Sequence, residues 1–350
     1  MKTRIRRHVG WRVGLALAGL LLGSVVAWAN EAPFQEKWAP TRWGADDKIG
    51  AMNLLTPQRV LQNVKLIKTG KWATLGKPYQ ADAPFFGVRG WRLIIPGLPT
   101  GGPFGEHELV YNDEFVATEL GQVGTQFDGP GHIGIKTAKG HFYYNGAMLE
   151  EVGNSYGLGR LGVEHVAEKG FVCRGVLLNA PAYRAMAMLP VPKGESNDPG
   201  IITDKDIQAM AQRQKLTLGE GDCVFLYTGW GDLWDVRRWA GFDAKEKERR
   251  IAQFNSGEPG FGISGCEYLA KLGVVLTAAD SWAVEAVPGE HANKPFECHA
   301  QLQTRRGIWN LENLDFSQLL ADKVDEFLFV WSPLKMTGAT GSPGNPIALY

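Results

Sequence analysis

Four short apolar runs constrain the fold more than any other feature of the chain. Phe171 to Leu178, Cys223 to Tyr227, Val274 to Ala278 and Phe327 to Trp331 read as buried strands. Helical signals lie between and before them. Thr56-Pro57 opens a periodic segment that ends at Gly70, with Thr as the cap and Pro in the first turn. Thr203 begins a second helix over Asp204 to Gln214, and Ser264 with Glu267 three residues later predicts a capping box for a third, ending near Gly273. Strand and helix alternate across the second half, which predicts an α/β domain with a largely buried sheet. No linker, repeat or low-complexity tract divides the chain, so residues 30–350 are read as a single domain. Residues 96 to 105 are too rich in glycine and proline for regular structure and read as a surface loop; the functional alternative is a flap over a site.

Residues 1–29 read as a secretory signal peptide. Lys2, Arg4, Arg6, Arg7 and Arg12 form a basic head without an acid, an apolar run follows from Val13 to Val26, and Ala27-Trp28-Ala29 closes it. Cleavage before Asn30 would deliver the protein to the periplasm or outside the cell, with no membrane attachment afterwards. The whole chain holds 37 basic and 37 acidic residues; removing the five basic leader residues leaves 32 against 37, a net charge of −5. A mildly acidic protein has no electrostatic reason to grip nucleic acid. Cys173, Cys223, Cys266 and Cys298 permit disulfides in an oxidising compartment, yet four over so long a chain are not a disulfide scaffold. Cys173 and Cys223 lie in apolar runs and read as buried thiols, and the absence of a C-x-x-C pair disfavours a thiolate zinc site.

The segment Gln122 to His132 carries the chemistry. If it is a strand up to Asp128, its period of two sends Gln122, Gly124, Gln126 and Asp128 to one face. Two amides, a carboxylate and a bare glycine make a poor core and a good wall for a polar site. Gly129-Pro130-Gly131 then turns His132 back toward it. Carboxylate, imidazole and amide oxygens converging on one point suit a divalent metal such as Zn²⁺ or Mn²⁺. Asp128 and His132 alone would hold it poorly, and His299 and Glu312 are the candidate partners from the tail. A bound metal would acidify water and polarise a carbonyl, and a neighbouring imidazole would shuttle the proton. A lone Asp or His in a glycine-rich turn is more often a turn residue than a ligand, so spacing alone leaves the question even. His107, His141, His165 and His291 read as surface or hydrogen-bonded histidines, with only His107 and His141 close enough to the segment to line a pocket. Asp280 and Glu285 read as turn anchors, and the twelve scattered tryptophans as packing rather than sugar-stacking residues.

The segment resembles the signature of the metal-dependent cyclase family, which includes bacterial kynurenine formamidase and isatin hydrolase and is written H-x-G-T-H-x-D-x-P-x-H. Gly124, Thr125, Asp128, Pro130 and His132 match it, while Gln122 and Gln126 replace two histidines. The resulting Q-x-x-x-Q-x-D-x-x-x-H resembles the variant found in trans-dienelactone hydrolase. Arg42 to Asp47, Gly50 to Leu55, Gly221 to Trp230, Asp280 to Glu285, His299 to Glu312 and Thr337 to Pro346 extend the resemblance over most of residues 38–350. It implies a swivelling β/β/α-type single domain with a mixed sheet. It also implies metal ligation by Asp128, His299 and Glu312, with His132 as general base or further ligand. Gln122 and Gln126 would take the two imidazole positions as weaker ligands, or bind a substrate carbonyl alongside Thr125, His107 and His141. One ion is then favoured over two. The implied activity is hydrolysis of a small cyclic ester or amide, or of an aryl-formamide as in tryptophan catabolism, by a homo-oligomer (dimer or tetramer). Two rivals stand beside it: a periplasmic small-molecule binder on a frame that has lost its metal, and a fold-level relative in which His299 and Glu312 lie far from Asp128.

Overall fold

All four apolar runs become neighbours in one sheet. The computed structural model describes residues 38–194, 197–291 and 293–350; the leader and its expected cleavage point lie outside the described residues. Strands β1 (Trp72–Thr74), β2 (Trp91–Ile94), β3 (Gly101–Phe104), β4 (Leu109–Tyr111) and β5 (Phe115–Thr118) precede the polar segment. It contains β6 (Gln126–Asp128) and is followed by β7 (Ile135–Thr137) and β8 (Gly140–Phe142). Then come β9 (Phe171–Asn179), β10 (Ile201–Ile202), β11 (Cys223–Tyr227), β12 (Gly260–Phe261) and β13 (Leu276–Ala279). The last are β14 (Trp309–Glu312), β15 (Glu326–Trp331), β16 (Gly341–Pro343) and β17 (Ile347–Leu349).

The main sheet runs β1-β17-β15-β9-β11-β13-β14-β6-β16. Its centre, β9, β11, β13 and β14, is parallel, and both flanks are antiparallel. This is the mixed α/β sheet expected. Central strands covered on both faces need apolar residues throughout, and Val176, Leu177, Leu178, Val224, Phe225 and Leu226 are fully buried. An aromatic cluster fills one face: Phe225 lies 4.9 Å from Phe329, and Phe127 4.9 Å from Trp331, ring centre to ring centre. Each such buried ring contributes roughly 1.5–3 kcal/mol. The helix Asp204–Gln214 has its predicted bounds and a full capping box between Thr203 and Asp206. Among the described residues no helix is long and apolar enough to cross a membrane.

Five expectations are corrected. The third helix spans Ile263–Leu272 with Gly262 as its N-cap, so Ser264 lies inside it and its hydroxyl receives the Asp204 N–H instead. The helix opened by Thr56-Pro57 stops at Asn63 and tightens into a 3₁₀ turn, although Thr56 does cap it. Residues 96–105 are not irregular throughout, because Gly101–Phe104 pairs with Leu109–Tyr111 across a register shift. The polar strand covers only Gln126–Asp128. Gln122 sits in a turn at φ 62°, so backbone reversal rather than strand period brings it to the site. Lastly, Cys173 and Cys223 are not thiols: they are joined in a disulfide, and Cys266 is joined to Cys298.

The first disulfide cross-links β9 and β11 at the sheet centre, over 50 residues. In the chain-entropy account a loop of that length gives about 4 kcal/mol. A Cys173→Ala/Cys223→Ala variant should therefore lose about that much in urea unfolding. An unchanged unfolding midpoint would contradict the assignment.

Candidate metal centre

Register builds the centre. β14 and β6 run antiparallel with Glu312 opposite Gln126 and Asn310 opposite Asp128. Opposed residues share a face and alternate residues return to it, so all four side chains point the same way. Phe127 and Leu311 point oppositely, into the core. One greasy residue between two polar ones on each strand thus fastens the strand while presenting the site.

His299 approaches from the helix Glu297–His299, which runs into a π-helical stretch, Ala300–Thr304. Such widened turns concentrate at functional sites. The His299 Nε2 atom lies 3.5 Å from Asp128 Oδ2 and 3.5 Å from Glu312 Oε1. One ligand atom from each of the three residues falls within 4.8 Å of the others, and all three side chains are buried. Metal–ligand bonds of about 2.1 Å in a tetrahedron separate ligand atoms by about 3.4 Å, close to what is found. Glu312 Oε1 is also a buried oxygen with no hydrogen-bond donor among the described residues. Donor chemistry, spacing and the undonated oxygen fit a divalent cation.

Both replacement glutamines are present, but turned the other way from ligands. The Gln122 backbone N–H donates to Gln126 Oε1, which commits that oxygen and leaves the Gln126 amide N–H facing Asp128 Oδ1. The Gln122 side-chain amide N–H groups donate to the Trp282 carbonyl, at 2.8 Å, and to Glu312 Oε2. A third amide, Gln303 Nε2, donates to Asp128 Oδ2 at 3.1 Å. Three glutamines therefore hold the two carboxylates by their N–H groups. Gln303 was not legible as a site residue, although it lies four positions after His299 on one helical stretch.

His132 stands at the edge, Nε2 3.4 Å from Asp128 Oδ1, and is the more exposed partner of that pair. Burial lowers its pKa, with the positive charges of His299 and Arg89 acting in the same direction and Asp128 opposing them. Arg89, in turn, donates to the Phe86 carbonyl and lies over the Phe86 ring, which stacks on Trp282 at 4.4 Å. Glu285 is the other residue whose role exceeds its sequence reading. It accepts from the backbone N–H groups of Cys298 and His299, at 3.1 and 3.0 Å, and from His299 Nδ1, which directs Nε2 at the carboxylates.

Other candidates are placed elsewhere. The Thr125 hydroxyl donates to the Asn313 carbonyl and accepts from the Lys77 N–H, so its one donor is spent on holding the chain together. His107 is exposed on the turn between β3 and β4. His141 is held by Glu150 on the β7–β8 hairpin. Asp280 anchors a turn, accepting from the Thr228 and Gly231 backbones. His165 and His291 pair with surface carboxylates.

Comparison with known proteins places this geometry. The Cyclase family model matches residues 67–286. The chain belongs to that family. A crystal structure described as a novel cyclase shares 28% identity, covers 88% of this chain and 96% of its own, and superposes with a TM-score of 0.71. Isatin hydrolase A from Labrenzia aggregata, bound to benzyl benzoate, shares 16% identity over 79% of this chain and 93% of its own, with a TM-score of 0.54. An isatin hydrolase bound to the product analogue thioisatinate shares 18% over 85% and 99%, also at 0.54, so these two speak to fold alone. No curated protein matches the chain.

Without a cation, protons fill the centre. Burial raises the Glu312 pKa to about 8, with Asp128 repulsion adding to it. The His299 pKa is also raised: burial opposes its charge, but the Asp128, Glu285 and Glu312 carboxylates around the ring outweigh that. Groups with raised pKa values stabilise the fold while protonated. That contribution is complete below their ordinary values and is lost as pH climbs through the raised ones. The metal-free protein should therefore weaken from about pH 5 to about pH 8, where a cation can replace the protons. Adding Zn²⁺ should raise Tm little at the acid end and most at the alkaline end; an increment that shrinks with rising pH would contradict the site.

Proposed function

We propose that the protein is an exported metal-dependent hydrolase that opens a small cyclic ester or amide, with a lactone as the first choice and an aryl-formamide as the second. The observation that carries this is the convergence of Asp128, His299 and Glu312 around one undonated carboxylate oxygen, with His132 beside them. Membership in the Cyclase family agrees with it, and isatin hydrolases share the fold. A metal-free binder is not favoured, because the three ligating side chains are intact and together.

Asp128, His299 and Glu312 would hold the ion, Zn²⁺ first and Mn²⁺ second. When bound, it would supply Lewis acidity toward a carbonyl and lower the pKa of water toward about 7. The protein's own groups do the rest. Gln122, Gln126 and Gln303 fix the carboxylates, and Glu285 fixes the imidazole. His132, kept neutral by burial, takes a proton from the attacking water and returns it to the leaving oxygen or nitrogen. Arg89, close enough to His132 to act on its charge, suits the carboxylate that ring opening creates. Support for export comes from the two disulfides, which persist in oxidising compartments.

A hydrolysis screen of lactones, cyclic imides and aryl-formamides with added Zn²⁺ or Mn²⁺ tests the reading. His132→Ala should cut kcat/KM about 10²–10⁴-fold on the best substrate while metal content is retained. Metal-independent turnover, or undiminished turnover by this variant, would refute it.

A further inference from the structure

His299 shares the centre with two carboxylates, yet its own stretch of chain has little to hold it. Asp128 and Glu312 stand on paired strands whose register fixes them. The helical turn Glu297–His299 is only three residues long and follows Phe296 at φ 58°, with no side-chain cap. A single turn fixes several backbone dihedrals for one hydrogen bond, so it does not hold itself. Something outside the turn has to place the imidazole.

Two clamps do so. Glu285 is the first, taking the backbone N–H groups of Cys298 and His299 and the ring Nδ1. The second is covalent. Cys298, the neighbour of His299, is bonded to Cys266, and both are buried in the main core. Successive side chains on a helical turn diverge by about 100°, so Cys298 enters the core while His299 faces the carboxylates. Cys266 is a firm anchor, because its helix, Ile263–Leu272, is seated closely on β10. A Cβ at Gly265 would lie 2.5 Å from the Ile202 carbonyl oxygen, and the Gly262 N–H donates to that same oxygen at 2.9 Å. Phe261, in β12, bonds to both sides of Glu285: its N–H donates to the Val284 carbonyl and its carbonyl accepts from Ala286, each at 3.0 Å. The anchoring helix and the Glu285 loop thus share one root, and both clamps hold His299 against the same frame.

We propose that the Cys266–Cys298 disulfide is a positioning element for His299 and sets the affinity of the centre for its cation. The inference rests on the metal centre of the hydrolase reading and adds two residues to it. Metal–ligand distances are held to about 0.2 Å, and removing a group that orients a ligand costs about 10–100-fold in metal affinity. The other disulfide is an internal control. Cys173–Cys223 spans 50 residues against 32 and joins β9 to β11, away from β6 and β14, so it bears on the stability of the fold and not on His299.

Competition with a chromophoric chelator measures the Zn²⁺ affinity of the mature chain and its variants, at a temperature where far-UV circular dichroism shows them folded. Cys266→Ala/Cys298→Ala is expected to bind Zn²⁺ about 10–100-fold more weakly than wild type. Cys173→Ala/Cys223→Ala is expected to keep wild-type affinity despite its lower unfolding midpoint. In a double-mutant cycle with His299→Ala, removing Cys266–Cys298 should cost nothing further, because the residue it positions is gone. Should the alanine pair not fold, Cys266→Val/Cys298→Ala, which refills more of the core, replaces it in both measurements. Wild-type affinity in the Cys266/Cys298 variant overturns the inference, as does an equal loss from either disulfide, or a loss that persists in full without His299. A wild type that binds no Zn²⁺ instead overturns the hydrolase reading, and the inference with it.

Discussion

Two buried carboxylates, Asp128 and Glu312, face the same few ångströms of dry interior, and their repulsion is the constraint that the surrounding structure answers. Stripping a carboxylate of water costs several kcal/mol. Here the cost is met by converging donors: three glutamine amides, the His299 imidazole and the His132 ring. One carboxylate oxygen, Glu312 Oε1, has no hydrogen-bond donor among the described residues. A divalent cation would satisfy it and relieve the repulsion together. The same logic extends outward to Glu285, which holds His299 from behind, and to Glu258, which accepts from the Trp282 and Ala283 backbones at 2.7 and 2.8 Å. Glu258 thereby fixes the loop whose Trp282 carbonyl receives Gln122.

The exchange of histidine for glutamine at 122 and 126 acquires a specific meaning in this setting. An amide can turn either its oxygen or its N–H groups toward a neighbour. In this fold the backbone N–H of Gln122 and the carbonyl of Trp282 commit both amides to donate toward the carboxylates. Donating groups hold a carboxylate in place without competing for the metal, and they leave no second set of ligands. The centre's carboxylates are thus presented by strands from the middle and the tail of the chain and held there by amide N–H groups.

Much of this was legible in the sequence, and the gaps have physical causes. Apolar runs located β9, β11, β13 and β15, because strands buried on both faces must be apolar almost throughout. Asp128 was legible in the family signature, and His299 and Glu312 as candidate partners from the tail; their spacing alone said nothing of contact, since the β6–β14 register that joins Asp128 to Glu312 is tertiary. β14 itself, Trp-Asn-Leu-Glu, is too short and polar to read as a strand. The Gln122 turn was misread as strand because a positive φ in a non-glycine residue leaves little trace in sequence. Neither disulfide pairing nor the roles of Gln303 and Glu285 could be read, for each depends on which elements pack together.

Anomalous diffraction at the zinc edge, from crystals of the mature protein grown with Zn²⁺, tests the account most directly. It predicts a single peak per chain, bonded at about 2.0–2.2 Å to Asp128, His299 Nε2 and Glu312 Oε1, with the glutamine N–H groups still on the carboxylates. A peak placed elsewhere, a second ion beside the first, or amide oxygens of Gln122 and Gln126 turned onto the metal would contradict it.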